Sequence, residues 1–209
     1  MKLCRIGNKN EEKPAVIDAQ NNYRDLSIII DDFTPQNLNQ ETIKKIKNLD
    51  VSKLPIISKD KRIGSCIKNP GKFVAIGLNY SDHAKETGLN TPSEPIIFMK
   101  AVSSICGPND NIEVSKDSRK LDWEVELAFV VGKEARNIKE IDAPEHILGY
   151  CIVNDISERE WQIEKMGQWV KGKSHDTYGP IGPYLVTKNE IPDINNLNMS
   201  LDVNGKRMQ

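Results

Sequence analysis

Glu124 and Glu126 stand two residues apart in the run Asp122-Trp123-Glu124-Val125-Glu126-Leu127-Ala128-Phe129-Val130-Val131, whose other members are mostly apolar. Extended backbone sends alternate side chains to opposite faces, so the two glutamates share one face, roughly 7 Å apart, and Trp123, Val125, Leu127, Phe129 and Val131 make an apolar one. Two like charges on a strand apolar enough to be buried repel each other and lose hydration, a cost that a bound cation removes. A sheet face open to water is the competing reading, under which the pair needs no explanation. Asp155 favours a site: it closes the apolar run 150–154 and so delivers a third carboxylate at a strand end. Three carboxylates without a nearby histidine or cysteine suit a hard cation, Mg2+ first and then Mn2+ or Ca2+, and disfavour zinc.

Other polar groups come in pairs. His83 and Glu86 are three apart in a short polar stretch that reads as helix, so both project from one face, and a carboxylate beside an imidazole raises its basicity and fixes its tautomer. Arg159 and Gln162, also three apart, follow Asp155 directly and can face the same centre. In each case an exposed helix with ordinary polar residues is the alternative. Lys100 ends the apolar run 96–99 and reads either as a pocket-entrance residue or as a solvated strand end, and His146 reads as a surface residue.

These side chains need strands to carry them. Segments 73–78, 95–99, 123–131, 150–154 and 184–187 are β-branched, aromatic or tightly apolar and read as strands. Segments 80–87 and 157–166 read as helices, the second opened by Ser157 with Glu160 three residues on, as in a capping box. Upstream, 15–17 and 26–30 read as a hairpin around Gln20, Asn21 and Asn22, followed by a helix over 42–49 that places Ile43, Ile46 and Leu49 on one face. Asn69-Pro70-Gly71 punctuates the chain. The expected organisation is a small α+β N-terminal domain over residues 1–68 and a mainly β domain over 69–209. At the far end, 201–203, Asn204-Gly205 and 206–209 read as a strand, a type I′ turn and a returning strand cut short. A C-terminally truncated domain is the expectation, and a natural terminal hairpin the alternative.

Composition removes several function classes. Lys and Arg number 29 against 30 Asp and Glu, a net charge of -1, so no global field gathers nucleic acid or an anionic membrane. The start of the chain lacks the apolar stretch of a secretion signal, and the run 127–131 is far too short to span a bilayer, so a cytoplasmic protein is expected. Cys4, Cys66, Cys106 and Cys151 are widely spaced and read as reduced thiols packed like small apolar groups.

Four segments resemble motifs of the fumarylacetoacetate hydrolase family, in order and at family-like spacing over about residues 70–209. They are Gly77-Leu78-Asn79-Tyr80-Ser81-Asp82-His83-Ala84-Lys85-Glu86, the Asp122 to Leu127 run, Asn154-Asp155-Ile156-Ser157-Glu158-Arg159, and Gly172-Lys173-Ser174-His175-Asp176-Thr177. The resemblance implies a mixed β-roll, in α+β terms mainly β with few helices, usually as a homodimer. It carries metal binding to Glu124, Glu126 and Asp155, water activation to His83 with Glu86, and substrate contact to Arg159 and Gln162. It also carries binding of the substrate's oxyanion side to Lys173, with Lys171 left to solvent and His175 to pocket lining or packing. The implied chemistry is Mg2+-dependent hydrolysis of a C–C bond in an acylpyruvate-type oxo-acid. The same motif set also serves ureidoglycolate lyases, oxaloacetate decarboxylases or tautomerases, and dienoate isomerases or hydratases. Relatives continue into a Gly-Thr-Pro loop that nothing here matches, which leaves a truncated, non-catalytic relative as the reading from another class.

Overall fold

The computed structural model describes residues 1–80 and 92–209. Its chain starts as a meander of β1 (Lys2–Ile6), β2 (Lys13–Ile17) and β3 (Tyr23–Asp25), paired antiparallel in sequence order. The turn between β2 and β3 is built on Asp18, whose carboxylate accepts the backbone N–H groups of Gln20 and Asn22, with Asn21 at φ 62°. Asparagine tolerates this left-handed backbone better than most residues. The second arm is shorter than the apolar run 26–30 suggests. Asp25 accepts the Ser27 N–H at 2.8 Å, and both Ile29 and Ile30 bond back to the Leu26 carbonyl, so the chain turns there. Leu26 is fully buried and its N–H still reaches the Pro14 carbonyl at 2.8 Å, whereas Ile28 is 75% exposed beyond the turn.

Helix α1 (Gln40–Lys47) begins where Asn39 caps it, accepting the Thr42 N–H at 3.0 Å, and it buries Thr42 and Ile46. Strand β4 (Ile56–Ile57) then pairs with β3. Next come β5 (Val74–Gly77) and β6 (Ile96–Met99), paired with each other, then β7 (Ile105–Cys106), β8 (Leu121–Asp122) and β9 (Val125–Val131). The chain continues through β10 (Ile147–Asn154), β11 (Ser157–Glu158), α2 (Val170–Lys173) and β12 (Gly179–Thr187). It closes with the hairpin β13 (Asp202–Val203) and β14 (Lys206–Arg207). Asn204 at φ 51° and Gly205 at φ 78° make the expected type I′ turn.

Among the described residues the main sheet runs β4-β3-β2-β1-β12-β10-β9, with β7 beside β12. Its seam joins the two ends of the sequence: β1 pairs with β12, Leu3 opposite Leu185. The core is continuous across that seam. Leu3, Val16, Leu26, Phe33 and Ile46 share one apolar cluster with Leu148, Cys151, Val153, Ile181 and Leu185. All four cysteines are buried free thiols, and no helix among the described residues is long and apolar enough to cross a membrane.

Three local expectations are corrected. On β9 the alternation is as read, but Ala128 and Val130 pack against the core while Phe129 and Val131 are exposed, so the more apolar face points outward. The helix expected over 157–166 starts later. Ser157 and Glu158 are a strand paired with β8, and Ser157 Oγ donates to the Asp155 carbonyl and caps nothing. Only Glu160–Glu164 is helical, as a single wide turn closed by the Lys165 N–H on the Glu160 carbonyl. His146 is buried, with Nδ1 3.2 Å from the Lys133 carbonyl oxygen, because the strand it precedes enters the core. The helix expected over 80–87 falls, from residue 81 on, outside the described residues.

Candidate metal centre

The three acidic residues reach one place because two strand ends are tied together. Glu124 sits in the break between β8 and β9; its N–H donates to Asn154 Oδ1 at 3.1 Å, and its carbonyl accepts the Asp155 N–H at 2.8 Å. Glu126 lies opposite Val153 in the β9–β10 ladder, two positions before Asp155. One carboxylate oxygen from each of Glu124, Glu126 and Asp155 lies within 4.8 Å of the others. The reading of a solvent-open glutamate face is therefore set aside: Asp155 is 1% exposed, and the two glutamates are half-buried around it.

Three cations surround the cluster. Lys173, on α2 and 1% exposed, places Nζ 2.6 Å from Glu124 Oε2 and 2.8 Å from Asp155 Oδ2. Two glycines make its approach possible. A side chain at Gly172 would meet the Glu158 carbonyl at 2.4 Å, and one at Gly77 would meet the Trp169 ring at 2.5 Å, so only glycine lets α2 and the residue before it close on the site. Arg159 spreads its guanidinium over Asp122 (Nε to Oδ2, 2.9 Å), Glu124 (Nη2 to Oε1, 2.6 Å) and Gln162 (Nη1 to Oε1, 2.9 Å). The predicted Arg159 and Gln162 pair thus exists and faces the centre, with much of its donor set already engaged.

Lys100 is the residue that sequence reasoning misplaced. It is 1% exposed, not at an entrance, and its Nζ lies 2.6 Å from Asp155 Oδ1 while donating to the carbonyls of Ile156 and Lys173. The available signal was its place directly after four apolar residues, where a strand still inside the fold carries its next side chain inward. Tyr80 also serves the site: its hydroxyl accepts the Leu127 N–H at 2.9 Å. His175 packs as expected, its ring 4.6 Å from Trp161 and 5.3 Å from Tyr178. A cavity of about 530 Å³ lined by Glu113, Ser115, Lys171, Ser174, His175 and Asp176 excludes the three carboxylates. His83 and Glu86 lie outside the described residues.

Burial and crowded charge shift the titration of groups at the centre. Burial, then the charges of Asp155 and Glu124, push the Glu126 carboxyl up to about 7 against the pull of Lys173 and Asn79. Burial also holds the Lys100 ammonium below the usual lysine range, opposed by Asp155. Asp155 Oδ1 is fully buried and, though close to Lys100, receives no well-aligned hydrogen bond among the described residues. An all-oxygen donor set with crowded charge suits a hard divalent cation.

Comparison with known proteins agrees with this architecture. A family model described as the fumarylacetoacetate hydrolase C-terminal domain matches residues 72–209. A Burkholderia multivorans protein provisionally named a hydrolase is 50% identical over 209 residues, covering 100% of this chain and 74% of its own. The solved fumarylacetoacetate hydrolase of Exiguobacterium antarcticum superposes with a TM-score of 0.83 at 31% identity, over 100% of this chain and 74% of that one. A 5-carboxymethyl-2-hydroxymuconate delta-isomerase from Mycobacterium smegmatis gives 0.72 at 29% identity, over 99% and 73%. With the model spanning every segment that builds the carboxylate centre, and a relative half identical along the whole sequence, the chain belongs to the fumarylacetoacetate hydrolase family.

Proposed function

We propose that this protein is a Mg2+-dependent enzyme that hydrolyses a C–C bond in an acylpyruvate-type oxo-acid. The observation that carries the reading is the convergence of Glu124, Glu126 and Asp155 within 4.8 Å beside the buried Lys173 ammonium. A bound Mg2+, with Mn2+ or Ca2+ as substitutes, supplies Lewis-acid polarisation of the 2-oxo group and neutralises the charge that appears there when the bond breaks. His83, oriented by Glu86, takes a proton from the water that adds to the distal carbonyl. The bond between that carbon and its neighbour then breaks, the electron pair passing to the oxo-acid fragment, which later takes up a proton on carbon. Lys173 donates toward the developing oxyanion, where a preplaced cation in a dry site needs no reorganisation. Arg159 and Gln162 hold the substrate carboxylate with the donors that Asp122 and Glu124 leave free.

A second reading is favoured by one comparison. One neighbour, 29% identical, is named a delta-isomerase; in this chain the same residues would serve isomerisation through a metal-held anion, or a lyase or decarboxylase reaction. After chelation and Mg2+ return, acylpyruvates, oxaloacetate, ureidoglycolate and a hydroxymuconate-type dienoate are assayed with wild type and Glu126→Gln. Hydrolysis of the acylpyruvate, lost in the variant, is the expected result. Full activity of Glu126→Gln would refute the assignment, and turnover of the dienoate alone would select isomerisation.

We further assign the active form to a homodimer. Phe129 on β9 and Ile152 on β10 are 59% and 52% exposed on the same sheet face, apolar area of the kind that partners cover. Light scattering after gel filtration is expected to return twice the chain mass; the mass of one chain would dismiss the dimer.

A further inference from the structure

Two carboxylates at the centre each have a cation close to both oxygens. Asp155 turns Oδ2 to Lys173 Nζ at 2.8 Å while its Oδ1 lies 2.6 Å from Lys100 Nζ. Glu124 repeats the pattern, with Oε2 2.6 Å from Lys173 and Oε1 2.6 Å from Arg159. Lys173 therefore bridges Glu124 Oε2 and Asp155 Oδ2, and Lys100 and Arg159 each lie against the outer oxygen, the one turned away from Lys173. Lys100 has no freedom to leave, because its side chain is 0% exposed and its ammonium also donates to the carbonyls of Ile156 and Lys173. The proposed reaction gives this lysine no task. The two carbonyls help satisfy the buried ammonium, and its ionic contact is with Asp155 Oδ1.

Resting on the metal-centre reading, we propose that Lys100 is a positioning residue that restricts Asp155 to one ligating oxygen, Oδ2, and so keeps a coordination position of the divalent cation open for the oxo-acid. A carboxylate can give a cation one oxygen or both. With one each from Glu124, Glu126 and Asp155, an octahedral ion keeps roughly three positions, enough for a chelating oxo-acid and a water. Without the ammonium on Oδ1, that oxygen is free to turn toward the cation and close one of them. Arg159 withholds the outer oxygen of Glu124 in the same way, so the device appears on two ligands.

The test uses Mn2+, whose effect on water-proton relaxation counts exchangeable waters, and oxalate as the chelating probe. Wild type is expected to hold about three exchangeable waters on bound Mn2+. Lys100→Met should keep Mn2+ within about threefold of wild-type affinity, lose about one water, and bind oxalate about tenfold more weakly. Lys100→Arg, which retains a cation on Oδ1, should stay near wild type. Lys100→Gln, whose amide can still donate to a buried carbonyl, guards against misfolding and should behave as Lys100→Met. Folded Met and Gln variants with wild-type water number and oxalate affinity would overturn the proposal. So would failure of both to fold while Lys100→Arg folds, since the lysine would then serve the fold alone. Wild type that binds no Mn2+ removes the metal centre and this inference together, whereas wild type that binds it beside unchanged variants removes this inference only.

Discussion

At the scale of the residue, Glu126 is the group on which metal and proton compete. Its carboxyl is pushed up to about 7 by burial and by the charges of Asp155 and Glu124, and a cation can be ligated only once that proton has left. Affinity for Mn2+ should be flat above about pH 7.5 and fall by up to about tenfold per pH unit below 7, as read by calorimetric titration between pH 5.5 and 8.5. The metal-free protein should show the opposite trend. A carboxyl whose folded pKa is raised leaves both states protonated below about 4.5 and both ionised above about 7, so this group's penalty on folding grows as pH rises through that window. Glu126→Gln should flatten both dependences while weakening Mn2+ binding by about a hundredfold; an unchanged pH slope in that variant would show that another group titrates.

At the scale of the element, β8 and β11 are too short to hold register by themselves. Glu158, 0% exposed, does it for them. Its carboxylate accepts the backbone N–H groups of Arg119, Lys120 and Glu160 and the Ser118 hydroxyl, while the Arg159 N–H reaches the Lys120 carbonyl. That clamp fixes where Asp122 and Arg159 meet. Glu158→Gln should cost about 2 kcal/mol in urea denaturation, the range for hydrogen bonds to a charged group, and should speed amide exchange at 118–120 more than elsewhere. Uniform exchange across the chain would mean the clamp is not local. Helix α1 offers a control far from the chemistry. Asn39→Ala removes the cap on the Thr42 N–H and should cost about 1 kcal/mol without changing Mn2+ affinity.

At the scale of the whole molecule, charge pairs join distant parts of the sequence. Asp32, Arg5, Glu12, Arg62 and Asp110 form a chain of contacts of 2.6, 3.0, 2.7 and 2.6 Å that ties the meander to the loop after β7. Burial would raise the Asp32 carboxyl, but Arg5 and Lys68 outweigh it and hold it below the ordinary range. Such a group stabilises the fold above its unfolded value, about 3.9, and that contribution is lost as pH falls through its lower folded value. Thermal stability should therefore drop as pH falls below about 4, and less steeply in Arg5→Ala. That variant leaves Asp32 with Lys68 alone and Glu12 with Arg62 alone, and should lose about 3 kcal/mol at pH 7; a loss under about 1 kcal/mol would mean that the remaining cations take over the pairing.

The sequence alone was enough for features that depend on neighbours along the chain. Alternation put Glu124 and Glu126 on one side, an apolar run ended at Asp155, Asn204-Gly205 turned the last hairpin, and four motifs in register pointed to the family. What it could not decide depended on which surfaces meet. The apolar side of β9 faces outward because the polar alternate positions, not the apolar ones, look toward the centre. Ser157 paired in a strand because β8 lay waiting for it, and Lys100 went inside because Asp155 and two carbonyls gave its charge somewhere to go. Local pattern sets backbone periodicity, which a few residues determine; the direction a side chain finally takes is set by partners tens of residues away, and only the folded chain brings those together.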